Sequence, residues 1–187
     1  MAETRNNVIT HGLSGKLGDL LVFRTLNGKT YVSSTPRKRT GEPSEAQKKH
    51  QKEFQEAIFY GKGAVADPET KAAYQAGAEP GKNAYIVAVA DFMHAPDIDV
   101  IDVSAYGGKA GDKIKVRATD DFKVKEVAVG IFNEDGSEVE HGLAELSANG
   151  IDWIYTATAI NDSLTGDKIV VQASDLPGHT TLGEKVL

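Results

Sequence analysis

Residues 124–133 read Val-Lys-Glu-Val-Ala-Val-Gly-Ile-Phe-Asn, and their apolar side chains recur at every second position. A period of two is typical of a β-strand that buries one face and exposes the other. Residues 153–159, Trp-Ile-Tyr-Thr-Ala-Thr-Ala, and residues 168–173, Lys-Ile-Val-Val-Gln-Ala, show the same alternation. These segments predict an all-β region in the second half of the chain.

Seven segments of this kind lie from residue 97 onward, and most are separated by turns that contain Gly. We expect strands at residues 97–104, 113–119, 124–133, 138–146, 153–159, 168–173 and 182–187. About seven short strands with regular turn signals are typical of a β-sandwich. The alternating positions expected to face its core are Ile114, Val116, Val127, Val129, Ile131, Trp153, Tyr155, Ile169 and Val171.

The first 43 residues predict a β-hairpin. Two apolar segments, residues 20–26 and 29–33, flank Asn27-Gly28, a pair that suits the tight turn between antiparallel strands. Three helix starts follow: the capping box Ser44-Glu45-Ala46-Gln47, the pair Asp67-Pro68, and Asn83. The sequence therefore predicts an α+β protein, with a hairpin and three helices in residues 1–95 and a sandwich in residues 96–187.

The order of the strand motifs resembles a bacterial immunoglobulin-like, or fibronectin-like, module. The matching segments are residues 118–121 (Ala-Thr-Asp-Asp), 127–131, 153–157 and 169–175, followed by Gly178. This resemblance implies a non-enzymatic module that presents a surface to a partner or acts as a spacer between surfaces.

The front half is similar to a family of small proteins from Bacteroidota genomes and their phages. The similarity lies in residues 14–18 (Ser-Gly-Lys-Leu-Gly), 27–32 (Asn-Gly-Lys-Thr-Tyr-Val), Pro36, 47–54 and 74–85. It implies no catalytic residue.

The amino-acid composition excludes some kinds of site and shows an uneven distribution of charge. The chain has 187 residues and a mass of 20.0 kDa, and it contains no cysteine, which excludes disulfides and thiolate metal sites. Residues 1–94 carry 13 Lys and Arg against 10 Asp and Glu, a net charge of +3. Residues 95–187 carry 8 against 17, a net charge of −9. This difference in charge between the two halves affects which partners the protein can attract, and it does not bear on the fold.

The start of the sequence has no basic segment followed by an apolar run, so we expect no secretory signal and synthesis in the cytoplasm. Later incorporation into a virion or an extracellular assembly stays open. The longest apolar run, residues 84–90, is far shorter than the roughly 20 residues of a membrane span, and we expect no membrane insertion.

No residue pattern indicates catalysis. The five histidines are far apart, and the sequence has no nucleophile elbow, so we predict neither enzymatic activity nor a cofactor. Asp120, Asp121 and Asp175 follow expected strands, and their loops meet at one end of a sandwich. They are candidate calcium ligands, with solvated turn residues as the alternative.

A basic group raises the possibility of nucleic-acid binding. It comprises Arg37, Lys38, Arg39, Lys48 and Lys49. Cationic clusters bind phosphate through counterion release, but the acidic half would repel DNA and no reader motif accompanies the cluster. A solvated basic segment is the alternative, and the one we favour.

The hairpin suggests self-association, because its apolar residues Leu21, Val22, Phe23 and Tyr31 lie on both faces of the pleat. A strand containing Val8 and Ile9, from the same chain or from a neighbour, would pair with its edge. Completion of the sheet within one monomer by residues 1–11 is the alternative.

We therefore predict a non-enzymatic structural or assembly protein, in a phage-like particle or a surface filament, whose main partner is itself. The alternative is an adhesive module that binds a glycan or a protein. Exposed aromatic residues such as Tyr106 would favour that alternative.

Overall fold

In a computed structural model of the protein, the described residues are 2–4, 10, 12–26, 28–36 and 41–187. The chain forms two compact units, Met1–Lys48 and Lys49–Leu187. Within the described ranges, no helix is long and apolar enough to cross a membrane.

The first unit contains an antiparallel sheet of four strands, β1 (Ala2–Thr4), β2 (Gly15–Leu17), β3 (Leu21–Leu26) and β4 (Lys29–Ser34). Their order in the sheet is β1-β4-β3-β2. Leu26 pairs with Lys29 across the turn, and Gly28 has φ +75°, which confirms the predicted hairpin. The hairpin does not stand alone, because a three-residue strand pairs along each of its edges.

The three predicted helices are present, as α1 (Glu45–Ala66), α2 (Pro68–Ala76) and α3 (Ala84–Met93). The Gln47 amide donates to the Ser44 hydroxyl and the Ser44 amide to the Gln47 side chain, which confirms the capping box. The side chains of Asp67 and Asn83 accept from backbone amides in the first turns of α2 and α3. Each helix therefore begins where its cap predicts.

The sandwich has eight strands: β5 (Asp97–Asp102), β6 (Lys113–Thr119), β7 (Val124–Phe132), β8 (Glu138–Leu143), β9 (Glu145–Leu146), β10 (Asp152–Thr156), β11 (Lys168–Asp175) and β12 (Thr180–Val186). One antiparallel sheet has the order β5-β6-β10-β9 and the other β12-β11-β7-β8. All nine residues predicted to face the core are buried. The α+β class with a β-rich second half is confirmed.

The segment predicted as one strand over residues 138–146 contributes to both sheets. β8 pairs with β7, whereas β9 pairs with β10 in the opposite sheet. Ala144 lies between them, buried, and its amide donates to the Val127 carbonyl at 2.8 Å. The chain thus crosses from one sheet to the other at Ala144, and residues 138–146 form two strands rather than one.

The helices pack on one end of the sandwich within the second unit. The Tyr74 ring of α2 lies 4.6 Å from that of Phe122, in the loop after β6, and the Phe92 ring of α3 lies 4.8 Å from that of His179. Leu176, which follows β11, joins the same apolar cluster. The boundary predicted between residues 95 and 96 consequently falls inside this unit.

Helix α1 packs closely against α3 at Gly61. A Cβ atom added there would lie 2.7 Å from Val89 Cγ2, whereas one added at Gly63 would meet no atom within 4 Å. We expect Gly61→Ala to lower the free energy of unfolding by about 1–3 kcal/mol, because the two helices must separate. Gly63→Ala is the matched control on the same helix and should raise it by about 0.5–1 kcal/mol through helix propensity.

Chemical denaturation of both variants measures the difference. Equal effects of the two substitutions would contradict this packing.

Candidate functional site

The residues proposed for self-association differ in exposure. Leu21 is exposed, Val22 and Tyr31 are half-buried, and Phe23 is buried. Val8 and Ile9 lie outside the described residues. The strand that pairs with the outer edge of β4 is instead Ala2–Thr4, so this edge is partly covered from within the chain.

One face of the N-terminal sheet is apolar. In the strand register, Leu17 lies opposite Leu21, and Phe23 lies opposite Val32. Leu17 is 61% exposed, and Leu20, in the turn between β2 and β3, is 78% exposed. Exposed leucines at adjacent positions of one small sheet form a patch that a partner can cover.

The predicted basic group is only partly described. Arg37, Lys38 and Arg39 lie outside the described residues. Lys48 and Lys49 are exposed on α1, where Lys48 lies 2.9 Å from a Glu45 oxygen and Lys49 lies 3.7 Å from a Glu53 oxygen. Both lysines therefore have acidic neighbours on their own helix.

The three candidate calcium ligands do not form one group. Asp121 is exposed and pairs with His94 at 2.6 Å. Asp120 accepts from the Lys123 amide at 3.1 Å. Asp175 is fully buried and accepts from the amides of Gly178 and His179 and from His179 Nδ1.

Among the described residues, no group of three or more His, Asp or Glu side chains is arranged to hold a metal ion. Calcium binding stays a prediction.

Asp120 and Asp175 lie near a third carboxyl group, that of Asp91 on α3, which sequence reasoning missed. Asp91 is fully buried, and the hydroxyl of Tyr74 donates to its Oδ2. The Tyr60 hydroxyl lies 2.8 Å from that of Tyr74 and donates to it, because the single proton of Tyr74 is already used. We call Asp91, Asp120, Asp175, Tyr60 and Tyr74 the buried carboxyl cluster.

A sequence signal for Asp91 exists. Ala84, Ala88 and Asp91 follow one another at helical spacing, and all three are buried. A carboxyl group on the apolar face of a helix marks a buried titratable site.

The cluster changes the acidity of its members. Burial raises the pKa of Asp91 to about 7, the Tyr74 hydrogen bond opposes this rise, and the charge of Asp120 and a hydrogen bond with it add to the rise. The charge of Asp175 acts in the same direction. Burial, followed by the hydrogen bonds with Asp91 and Tyr60, raises the pKa of Tyr74 far above its usual range. Asp91 is thus largely protonated in mildly acidic solution.

Two oxygens of the cluster have no donor in the described part of the chain. They are Asp91 Oδ1 and Asp120 Oδ1, and both are buried. A pocket of about 310 Å³ borders Asp91, with Val87 of α3 and Phe122 among its lining residues. The arrangement can hold a proton, and the pocket gives water a route to it.

Tyr106, the aromatic residue expected on the surface of an adhesive module, is buried in the sandwich core. Its hydroxyl lies 3.4 Å from Asn161 Nδ2, and burial raises the pKa of this tyrosine. Tyr106 therefore does not supply the exposed aromatic side chain that would favour the adhesive alternative. Tyr106 lies between β5 and β6, and the local sequence gives no sign of its burial, because the contact with Asn161 spans 55 residues.

Comparison with known proteins adds little. No protein-family model matches the chain, and no curated protein matches it. One solved structure to which the chain is similar is CopC from Methylosinus trichosporium OB3b, with 18% sequence identity and a TM-score of 0.36. The match covers 49% of this chain and 88% of CopC. A likeness of this size has no bearing on the function of the chain.

Tyr74→Phe tests the cluster. Removing the hydroxyl leaves Asp91 Oδ2 without its donor in a buried position, and we expect a loss of about 1–3 kcal/mol in the free energy of unfolding. Tyr85→Phe on α3 is the control, since this hydroxyl lies outside the network. Denaturant titration at pH about 6 gives both values, and an unchanged stability of Tyr74→Phe would exclude the hydrogen bond as a stabilising contact.

Proposed function

We propose that the protein is a non-enzymatic structural protein that assembles with copies of itself through the N-terminal sheet. The observation that carries this proposal is the exposure of Leu17, Leu20 and Leu21 next to one another on a small four-stranded sheet. Apolar patches of this kind mark protein interaction sites in soluble proteins.

The sheet has little core of its own. Among its described side chains, only Phe23 and Thr30 are buried. The buried residues of both hydrophobic clusters in the described chain lie at Ala64 or beyond, outside the first unit. Burial of apolar side chains is what stabilises a small sheet, and the exposed leucines of this sheet leave an apolar face unburied. Association would cover it.

Charge supports a second copy as the partner. Residues 1–48 carry eight Lys and Arg against four Asp and Glu, a net charge of +4. Residues 49–187 carry 13 against 23, a net charge of −10. The basic first unit of one copy and the acidic second unit of another attract each other. Such a head-to-tail contact makes a ring when it closes and a filament when it does not.

The sandwich itself is poorly suited to edge-to-edge pairing. Gly183 of β12 lies against the side chains of Ile98 and Ile101 of β5, so these two edge strands of the opposite sheets pack together. At the opposite side the chain passes directly from β8 to β9 through Ala144. Since exposed edges are what recruit further strands, the N-terminal sheet is the better candidate for assembly.

Sedimentation velocity over a range of concentrations tests the proposal. We expect the weight-average mass to rise above 20.0 kDa with concentration. The rise should be larger at about 50 mM than at about 500 mM salt, because salt screens the attraction between unlike units. The double variant Leu17→Glu/Leu20→Glu should stay monomeric.

Leu26→Glu is the matched control, because Leu26 is 63% exposed on the same sheet but lies on the face opposite Leu17. It should associate like the wild type. A wild-type protein that remains a 20.0 kDa monomer under all these conditions, or a control that dissociates equally, would contradict the proposal.

A further inference from the structure

We propose that the exposed leucines of the N-terminal sheet dock on the outer face of the sheet β12-β11-β7-β8 in a second copy of the chain. These leucines are Leu17, Leu20 and Leu21. The inference rests on the proposed self-association, and it names the surface of the second copy that receives the N-terminal sheet. We call this surface, which carries Ala128 of β7 and Leu182 of β12, the acceptor face.

The acceptor face is the solvent side of the second sandwich sheet. Val127, Val129 and Ile131 of β7 are buried in the core. Because side chains alternate along a strand, Ala128 and Gly130 point to the opposite side. Positions that pair with these two residues on the neighbouring strands belong to the same side of the sheet.

One row of paired residues crosses the acceptor face from edge to edge, and three of its four side chains are apolar. In the strand register the row is Leu182, Gln172, Ala128 and Leu143. Leu182 is 68% exposed and Leu143 is 61% exposed. The large side chains stand at the two ends of this central row and the small Ala128 lies between them. The row can therefore receive leucines of another sheet, since side chains interdigitate where two sheets pack face to face.

The neighbouring row adds to the apolar surface. Val170 pairs with Gly130 there. A Cβ atom added at Gly130 would lie 2.9 Å from Phe132 Cε2, so the Phe132 ring leans along β7 over the glycine. Both Val170 and Phe132 are half-buried and present part of their surface to solvent.

The outer face of the other sandwich sheet, β5-β6-β10-β9, is different. Lys115 lies 3.2 Å from an Asp102 oxygen, and Arg117 lies 2.8 Å from an Asp152 oxygen. Paired charges of this kind suit contact with water. Since the same sandwich has one charged outer face and one with exposed leucines, the second marks an interaction site.

The N-terminal sheet suits the acceptor face because the side that would dock is uncharged. Leu17 and Leu21 share this side with Phe23 and Val32. Among the described positions of β1 to β4, this side carries no Asp, Glu, Lys or Arg. Docking would therefore bury apolar side chains against the central row without burying an unpaired charge.

Charge around the contact favours the first unit of a second copy over a second acceptor face. Glu126 and Glu184 are exposed in the two rows beside the central row, and Lys168 lies one row further, 3.8 Å from a Glu184 oxygen. The second unit has a net charge of −10 and the first unit one of +4. Two second units repel each other, whereas a first unit is attracted.

The double variant Leu143→Glu/Leu182→Glu places charges at both ends of the central row and leaves the N-terminal sheet unchanged. We expect it to sediment as a 20.0 kDa monomer at concentrations where the wild type associates. Val100→Glu/Ile151→Glu is the matched control, because both residues are exposed, Val100 on β5 and Ile151 in the turn between β9 and β10. It adds the same charge to the second unit and should associate like the wild type.

Mixing two variants tests the contact directly. Leu17→Glu/Leu20→Glu keeps its acceptor face, and Leu143→Glu/Leu182→Glu keeps its N-terminal sheet. Each variant alone should remain a monomer. An equimolar mixture should form a 1:1 complex of twice the 20.0 kDa mass that does not grow further, because only one contact can form. Formation of this complex also shows that both variants are folded.

Association of Leu143→Glu/Leu182→Glu like the wild type would overturn the inference but leave the proposed self-association intact, because N-terminal sheets would then pair with each other. A mixture that stays monomeric, although the wild type associates, would overturn the inference as well. A wild-type protein that is monomeric throughout would contradict the proposed self-association itself.

Discussion

The carboxyl group of Asp91 is the constraint on which the second unit depends. It is fully buried, and burial of a charged group is costly unless the group is neutralised or paired. The structure surrounds it with the hydroxyl of Tyr74 and the carboxyl of Asp120, and the Tyr60 hydroxyl extends the network. One residue from each helix therefore meets the sandwich at a single point. The aromatic rings of Phe122 and Phe92 pack beside that point, against Tyr74 and His179.

The two units differ in how much of their apolar side-chain surface is buried. The sandwich has a continuous core with fully buried residues in both sheets, among them Ile114 and Val129. The N-terminal sheet buries Phe23 and exposes leucines on β2, on β3 and in the turn between them. This contrast supports the proposed assembly through the N-terminal sheet.

Local signals predicted most of the fold. The hairpin depends on Asn27-Gly28, and each helix start depends on its cap, so these features require only neighbouring residues. The core positions followed from a period of two, because a strand with one buried face has no other arrangement. The crossing of the chain at Ala144 was missed, since it depends on a hydrogen bond with Val127. The buried carboxyl cluster also depends on contacts between distant residues, because its members come from five separate segments. Sequence reasoning therefore missed it.

A carbon-detected NMR titration of the aspartate side chains measures the central claim directly, with Asp91→Asn identifying the resonance. The carboxyl carbon of Asp91 should titrate with a pKa of about 7, well above its ordinary value, because burial and Asp120 favour the protonated form. Its midpoint should fall in Asp120→Asn, where the like charge is absent. A midpoint near about 4 in the wild type would show that Asp91 is ionised and solvated, which would contradict its burial.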